Sequence, residues 1–148
     1  PDPRNYKKLE KKTRANSRII PYNFGLGDRK ETVRMSLEHL GSSIFSDTSG
    51  KNGVPWAEVE IRDIADAWKA LALDRVEFMK INIEGAEFPL LERMIEADLI
   101  KKVDCFMIQF HEWHPGAYAK RRRIREELSK THRLEWEYYF VWEKWVRI

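Results

Sequence analysis

Polar side chains that can hold charge and move protons gather near the middle of the chain. Asn82, Glu84 and Glu87 stand around Gly85, directly after or within the end of the apolar run VEFMKINI at 76–83. A mostly apolar run of this length predicts a strand that is buried on both faces of a parallel sheet. Carboxylates at the end of such a strand can stabilise a positive charge or orient a polar substrate.

A helical pattern follows this turn. Apolar residues recur at helix spacing, at Leu90, Leu91, Met94 and Ile95. Pro89 fits only the first turn of a helix, so the segment predicts a helix that ends near Ala97. A strand, a glycine turn and a helix in this order place Glu84 at the carboxyl edge of a sheet, where open α/β sheets bind ligands. Structural roles are the alternative: Gly85 makes the turn, Glu87 favours the helix N-terminus and Glu84 is solvated.

A second polar group follows the next apolar run. His111, Glu112 and His114 come after VDCFMIQF at 103–110, which predicts a second buried strand. His111 and Glu112 are therefore expected to reach the same space as Glu84 from the neighbouring strand end. Imidazole groups titrate near neutrality, so His111 suits the removal of a proton from a hydroxyl. The spacing H-E-x-H does not match the helical H-E-x-x-H zinc site, so no metal site is expected, and a structural role is the alternative for His114.

The composition is that of a soluble, globular domain. The 148 residues are 43% hydrophobic and 34% charged, which suits one domain with a workable core. No run approaches the roughly 18 apolar residues of a membrane span, so no membrane segment is expected in this chain. Cys105 is the single cysteine. It excludes an internal disulfide and a cysteine-based zinc site, and its place in an apolar run indicates buried packing.

The net charge of +3 is modest, although basic residues cluster at 7–14 and 120–125. Both clusters fall on predicted helices, where a solvated helix face is the ordinary explanation, and no aromatic-rich RNA-binding motif accompanies them. No nucleic-acid partner is therefore expected. Four of the six tryptophans fall in the last quarter of the chain and predict an aromatic sheet edge or a contact surface, at Trp113, Trp136, Trp142 and Trp145.

The rest of the chain predicts alternating strands and helices. Apolar runs and alternating patterns predict strands at 17–24, 33–37, 54–61, 134–142 and 142–148. Helical periodicity predicts helices at 5–14, 63–73 and 117–130. Gly25-Leu26-Gly27 resembles half of a dinucleotide-binding fingerprint, but Lys30 breaks the pattern and the segment predicts a turn. The glycine- and serine-rich segment 39–53 predicts a loop that orders on ligand binding.

The segment KINIEGAE at 80–87 closely resembles the K-I-D-x-E-G-A-E signature of the FkbM-type family. Members of this family are S-adenosylmethionine-dependent methyltransferases that act mostly on oxygen. The resemblance extends over nearly the whole chain and departs from the family at Asn82, where Asp is usual. It implies an α/β fold, the Rossmann-like class I methyltransferase three-layer sandwich, with a mostly parallel sheet and an antiparallel C-terminal hairpin.

The resemblance also implies cofactor-binding residues. The segment PDP at 1–3 corresponds to the family's E-P-x-P element, whose acidic residue holds the ribose hydroxyls of the cofactor. That acidic residue would lie upstream, so Asp2 is expected either to take part of its role or to cap the following helix. Asn23 and Phe24 are expected beside the adenine of S-adenosylmethionine, and Glu84 beside its sulfonium.

The resemblance and the residue types together indicate catalytic roles. Methyl transfer to oxygen requires that the sulfonium is held, that the acceptor oxygen lies in line with the methyl group, and that a base takes the hydroxyl proton. We expect Glu84 and Asn82 to line the junction between cofactor and acceptor. His111 is expected to act as the base, with Glu112 beside it. The expected acceptor is a hydroxyl of a small molecule or a glycan.

One part of the class I fold has no counterpart in the sequence. In that fold a glycine-rich loop after strand one holds the methionine end of the cofactor, and no D-x-G-x-x-x-G pattern occurs in the chain. The resemblance therefore implies one partial methyltransferase domain over 1–148, a fragment that lacks strand one and its glycine-rich loop. The isolated fragment is expected to bind S-adenosylmethionine weakly or not at all. A targeting or tethering segment would lie upstream, which leaves a cytoplasmic and a tethered protein both open.

Two further interpretations stay open. One is a non-catalytic methyltransferase-fold module that binds a protein partner through its tryptophan-rich C-terminal region, and Asn82 in place of Asp favours it. Nucleic-acid binding through 120–125 is the other, with a steep salt dependence as its signature. The intact Glu84, Gly85 and Glu87 favour the enzyme. The acceptor, the oligomeric state and the compartment do not follow from these residues.

Overall fold

The computed structural model describes residues 1–37 and 55–148. These residues form two compact units, Pro1–Asp63 and Ile64–Ile148, and each is described by itself. The loop predicted at 39–53 lies outside the described residues. In the parts of the chain that are described, no helix has both the length and the apolar character needed to cross a membrane.

The described part of the first unit contains one helix and a three-stranded sheet. Helix α1 spans Pro3–Thr13, and strands β1, β2 and β3 span Gly25–Gly27, Glu31–Ser36 and Trp56–Asp63. Strand β3 lies in the middle of the sheet, parallel to β1 and antiparallel to β2. These elements confirm the predicted helix 5–14 and the predicted strands 33–37 and 54–61. The core of the unit is a cluster of buried apolar side chains, Met35, Leu37, Val59 and Ile61.

The strand predicted at 17–24 is wrong, because turns and irregular chain occupy that segment. Pro21 has no N–H to donate to a strand ladder. Strand β1 begins at Gly25 instead, within the segment that was predicted to be a turn. A Cβ atom at Gly25 or Gly27 would lie 2.6 or 2.7 Å from side-chain atoms of Ile61, so glycine is what allows β1 to approach β3 this closely.

The second unit contains three helices and a four-stranded sheet. Helices α2, α3 and α4 span Ile64–Ala70, Glu87–Glu96 and Ala117–Leu128. Strands β4, β5, β6 and β7 span Met79–Ile81, Cys105–Ile108, His132–Tyr138 and Trp142–Arg147. The strand order is β4-β5-β7-β6, with β4 and β5 parallel and the other neighbours antiparallel. The helices predicted after residues 63, 84 and 116 and the antiparallel C-terminal hairpin are confirmed.

Helices α3 and α4 pack against each other in the second unit, and the apolar stripes read from the sequence supply its core. The largest fully buried apolar side chains come from α3, β5 and its flanks, and α4: Phe88, Leu91, Met94, Val103, Phe106, Ile108, Phe110, Ile124 and Leu128. In α3, positions 87, 90, 91 and 94 lie on one helical face, and this face is the buried one. This core fixes the ends of β4 and β5 relative to α3.

Over residues 1–37 and 55–148, the structure shows a mixed α/β protein with two small sheets and four α-helices. The single, mostly parallel sheet of a three-layer sandwich is not confirmed. Among the described strands, the pairs β1–β3 and β4–β5 are parallel, whereas the pairs β2–β3, β5–β7 and β6–β7 are antiparallel.

The strand predicted at 76–83 is shorter than its apolar run and is not buried on both faces. Only Met79–Ile81 forms a strand, and Val76 adds an isolated parallel bridge to Val103. Phe78, just before β4, is 53% exposed, and β4 is the edge strand of its four-stranded sheet. A half-covered edge strand therefore leads into the turn at Glu84.

The basic segment 120–125 is not simply a solvated helix face. Arg121 is buried on α4, and its Nε donates to Oε1 of Glu143 on β7 at 2.6 Å. Arg125 donates to the same oxygen at 3.0 Å and also pairs with Glu137 on β6. Trp145 Nε1 donates to the second Glu143 oxygen at 2.7 Å. This cluster, Arg121, Arg125, Glu137, Glu143 and Trp145, ties α4 to the C-terminal hairpin.

Candidate functional site

Two neighbouring strands end side by side in the second unit. Strands β4 and β5 are parallel, with Ile81 opposite Ile108. The pairing continues beyond the strands, because the Gln109 N–H donates to the Ile81 carbonyl at 2.9 Å. Residues that follow the two strands therefore meet at one edge of the sheet, as in other parallel α/β arrangements.

The turn after β4 has an unusual backbone. Glu84 and Gly85 both have positive φ angles, 51° and 97°. Glycine adopts this conformation readily, but Glu84 carries a Cβ and is strained there by about 1–2 kcal/mol. The carboxylate of Glu87 stabilises the turn, since its Oε2 accepts a hydrogen bond from the Gly85 N–H at 2.9 Å. Strain that is held by surrounding bonds is typical of functional sites.

Glu87 is the most deeply buried carboxylate of this site, with 0% of its surface exposed. Its Oε1 accepts from the backbone N–H of His111 at 2.9 Å and lies 3.1 Å from His111 Nδ1. One side chain on α3 thus joins the turn after β4 to the end of β5. The sequence interpretation treated Glu87 as a residue that favours the helix N-terminus and missed this role. The sequence does contain an indication that Glu87 is buried, because it falls on the same helical face as Leu91 and Met94.

The His111 imidazole lies between two carboxylates. Its Nδ1 faces Glu87, and its Nε2 lies 3.5 Å from Oε2 of Glu84. The His111 side chain is 9% exposed and that of Glu84 is 29% exposed, so Glu84 is the carboxylate that a ligand can reach. An imidazole held this way can exchange a proton, and the two carboxylates favour a positive charge nearby.

Two aromatic residues follow His111 closely in the chain. Trp113 is 54% exposed, and its ring centroid lies 5.9 Å from that of His111. His114 is buried, packs on Phe88 at 4.6 Å, and contacts the Pro115 carbonyl through Nδ1 at 2.9 Å. Burial and the positive charge of Lys120 lower the pKa of His114 below its ordinary 6.5. These contacts support the structural alternative for His114.

The other two predicted catalytic residues lie at the rim. Asn82 is exposed directly after β4. Glu112 is also exposed, and its carboxylate accepts a hydrogen bond from the Tyr118 hydroxyl at the start of α4. The Glu112 carboxylate is thus held by α4, and its predicted part in catalysis stays a prediction. Asn82 keeps its predicted place at the strand end.

The predicted cofactor residues other than Glu84 lie in the first unit. Asp2 is buried and caps α1, where its Oδ1 accepts from the Arg4 backbone N–H at 2.8 Å and its Oδ2 accepts from Asn5 at 3.0 Å. Burial would raise the pKa of Asp2, but the hydrogen bonds from Arg4 outweigh it and lower the pKa below its ordinary 3.8. The capping alternative is the one observed. A role at the ribose stays a prediction.

Asn23 and Phe24 precede β1. Asn23 is exposed, whereas Phe24 is partly buried. The Arg62 guanidinium lies 4.1 Å from the centroid of the Phe24 ring, and Tyr22 packs beside it at 5.3 Å. This contact is a cation–π pair that fixes the ring. Their predicted place beside an adenine stays a prediction.

The segment that begins at His111 also contains side chains of the types that bind metal ions. Within the described ranges, no group of three or more His, Cys, Asp or Glu side chains has an arrangement that could hold a metal ion. Cys105 is partly buried on β5, and burial raises the pKa of its thiol. The acid–base groups that meet at the ends of β4 and β5 are Glu84, Glu87 and His111.

Comparison with known proteins finds a matching family model for this chain. A family model described as the methyltransferase FkbM domain matches residues 1–139. The matched range includes the turn after β4 and the His111 segment, and it ends in the turn between β6 and β7. No match was found among curated proteins or among solved structures.

Proposed function

This chain belongs to the FkbM methyltransferase domain family, and from that premise we propose that it transfers a methyl group from S-adenosylmethionine to a hydroxyl oxygen of a small molecule or glycan. Family membership supports methyl transfer in general. The choice of donor, of oxygen as the acceptor atom and of the acceptor class is the proposal. The main observation in support of this proposal is that His111 lies next to Glu84 at the ends of β4 and β5.

Glu84 is proposed to hold the cationic end of the methyl donor. S-adenosylmethionine, when bound, supplies a methyl group on a positively charged sulfonium. The Glu84 carboxylate fits that charge, because it is partly exposed and a second carboxylate, Glu87, lies behind the same imidazole. Opposite charges about 4 Å apart near a protein surface attract by about 4 kcal/mol. Asp2 fits the ribose less well, because both of its oxygens already accept hydrogen bonds at the start of α1.

His111 is proposed to take the proton of the acceptor hydroxyl at Nε2. This nitrogen faces the exposed side of the site toward Glu84, whereas Nδ1 is held by Glu87. An imidazole within hydrogen-bond reach of a hydroxyl makes the oxygen a better nucleophile as its proton leaves. Asn82, exposed beside Glu84, is proposed to orient the acceptor through its amide.

We also propose that the complete domain has the Rossmann-like class I methyltransferase fold. The support comes from the second unit, where α3 joins the parallel strands β4 and β5 and an antiparallel hairpin follows. A strand–helix–strand crossover of this kind is the building block of doubly wound α/β sheets. A mostly parallel sheet would require parallel strands in addition to those described here.

The proposal is tested with the full-length protein and S-adenosylmethionine that carries a 13C-labelled methyl group. The labelled donor is incubated with pooled glycans and with pooled small-molecule alcohols, and the methyl carbon is followed by NMR. A methoxy resonance that depends on His111 supports the proposal. Transfer to nitrogen or carbon would reject oxygen as the acceptor atom, and failure to bind S-adenosylmethionine would reject the donor.

A further inference from the structure

The carboxylate of Glu87 contacts two backbone N–H donors and one imidazole nitrogen, and it has no exposed surface. Its Oε2 accepts from the Gly85 N–H, and its Oε1 accepts from the His111 backbone N–H, both at 2.9 Å. The same Oε1 lies 3.1 Å from His111 Nδ1. The two backbone groups can only donate, so both Glu87 oxygens act as acceptors.

An acceptor at this place determines where the imidazole carries its hydrogen. A neutral imidazole has one N–H donor and one bare nitrogen, and the hydrogen stays on the nitrogen whose partner only accepts. Nδ1 faces Glu87 and so carries the hydrogen in the neutral form, and it also carries one in the protonated form. We infer that Glu87 is a positioning residue that fixes His111 in the Nδ1–H tautomer, so that Nε2 is the nitrogen that gains and loses a proton.

A second carboxylate competes with Glu87 for the hydrogen of the His111 imidazole. Glu84 also faces the ring, and its Oε2 lies 3.5 Å from Nε2. If Glu84 determined the tautomer, the hydrogen would move to Nε2, and the ring could not accept a proton from a ligand at the exposed side. The shorter contact to Nδ1 and the second Glu87 bond to the His111 backbone favour Glu87. A bare Nε2 beside Glu84 is the state that a base at this site requires.

The inference deepens the proposed function, because it concerns the same imidazole. Its test does not depend on methyl transfer. The imidazole nitrogens of histidine have clearly different 15N chemical shifts with and without a bound hydrogen. The full-length protein is labelled with 15N, and the ring resonances are recorded over a pH series, with the tautomer read at the high-pH limit where the shifts no longer change. A His111→Gln variant assigns the His111 resonances.

Three variants separate the possible causes. Glu87→Met removes the acceptors at similar side-chain length, and Glu84→Gln removes the competing charge. Glu143→Met is the matched control, because Glu143 is another fully buried carboxylate of the second unit, bound to Arg121 and Trp145. We expect the Nδ1–H tautomer in the wild type, in Glu84→Gln and in Glu143→Met. In Glu87→Met, the Nε2–H tautomer should become the major form.

Several results would overturn the inference. They are an Nε2–H tautomer in the wild type, a folded Glu87→Met variant with unchanged ring shifts, and a shift in Glu143→Met equal to that in Glu87→Met. If Glu87→Met does not fold, the wild-type and Glu84→Gln spectra decide, since only an Nδ1–H tautomer in both upholds the role of Glu87. The expected spectra without any methyl transfer would uphold the positioning role and reject the proposed function.

Discussion

Nε2 of His111 lies 3.5 Å from Oε2 of Glu84, and this contact joins the ends of two parallel strands. Neither residue belongs to a strand. Each lies three residues after a strand ends, and the Gln109–Ile81 backbone bond extends the strand pairing toward the site. The pair therefore depends on backbone geometry that any disruption of β4 or β5 would disturb. The proposed function rests on this imidazole next to a partly exposed carboxylate.

The first prediction concerns the base. His111→Ala should slow turnover at least tenfold, which corresponds to about 1.4 kcal/mol of transition-state stabilisation, while donor binding is spared. His114→Gln is the control, because His114 lies in the same segment but packs on Phe88. Single-turnover kinetics and calorimetric titration separate the two effects. Unchanged turnover in His111→Ala would remove His111 from the mechanism.

The second prediction concerns the cluster that ties α4 to the hairpin. Arg121→Met should lower the free energy of unfolding by about 3 kcal/mol, because it leaves the buried carboxylate of Glu143 without its main partner. Arg122→Met, one residue further on the exposed face, should change it by less than about 0.5 kcal/mol. Urea unfolding measures both. Equal effects of the two variants would show that the buried ion pair contributes no special stability.

The third prediction concerns the start of α1. Asp2→Ala removes the cap on the Arg4 N–H and should destabilise the helix by about 1 kcal/mol, whereas Asp2→Asn keeps a side-chain oxygen and should cost much less. Amide hydrogen exchange in α1 is the measurement. An energy of about 1 kcal/mol corresponds to roughly fivefold faster exchange in Asp2→Ala. The capping role would be contradicted if both variants exchanged like the wild type.

The fourth prediction concerns pH. His132 is buried, its Nε2 lies 2.8 Å from the Val103 carbonyl, and burial lowers its pKa below the ordinary 6.5 despite that contact. Between the folded pKa and 6.5 the unfolded chain binds more protons than the folded chain. Stability is therefore full above about pH 6.5 and falls as the pH drops toward the folded pKa, by at most about 1.4 kcal/mol per pH unit for one group.

The free energy of unfolding, measured in urea between pH 8 and pH 5, checks this. His132→Gln should lose less stability on acidification than the wild type does. The buried His114, whose pKa is also lowered, contributes a remaining slope in the same direction. Parallel pH profiles for the wild type and His132→Gln would show that His132 does not protonate on unfolding.

Much of the local structure could be predicted because its causes are local. The apolar stripes of α3 and α4 and the alternation in the last two strands are periodic patterns in adjacent residues. The strand predicted at 17–24 is wrong for a local reason, Pro21, whereas the short strand at Gly25 has a non-local cause: its glycines approach Ile61 on β3, far along the chain. The strand order of the two sheets likewise depends on long-range pairing that no local pattern encodes.

The candidate site likewise has some features that sequence rules predict and others that depend on long-range contacts. That Glu84 and His111 approach each other follows from the rule that parallel strands end at one edge. The place of Glu87 on the buried face of α3 follows from the helical pattern, but its hydrogen bonds could not be predicted, because the donors are Gly85 and His111 from the next strand. The interpretation of 120–125 as a solvated face was incomplete for a similar reason, since the partners of Arg121 lie on the later hairpin.

We propose that Glu84 faces the sulfonium of the methyl donor. The affinities of two ligands that differ in the charge of the sulfur atom test this contact. S-adenosylmethionine carries a positive sulfur and S-adenosylhomocysteine a neutral one, so a charge contact affects only the first. Calorimetric titration of the full-length protein compares the wild type, Glu84→Gln and, as control, Glu112→Gln, whose carboxylate is bound to Tyr118.

We expect Glu84→Gln to weaken S-adenosylmethionine binding at least tenfold, about 1.4 kcal/mol, and S-adenosylhomocysteine binding less than twofold. Glu112→Gln should bind both ligands like the wild type. Equal weakening of both ligands by Glu84→Gln, or no weakening of either, would show that Glu84 does not face the sulfonium.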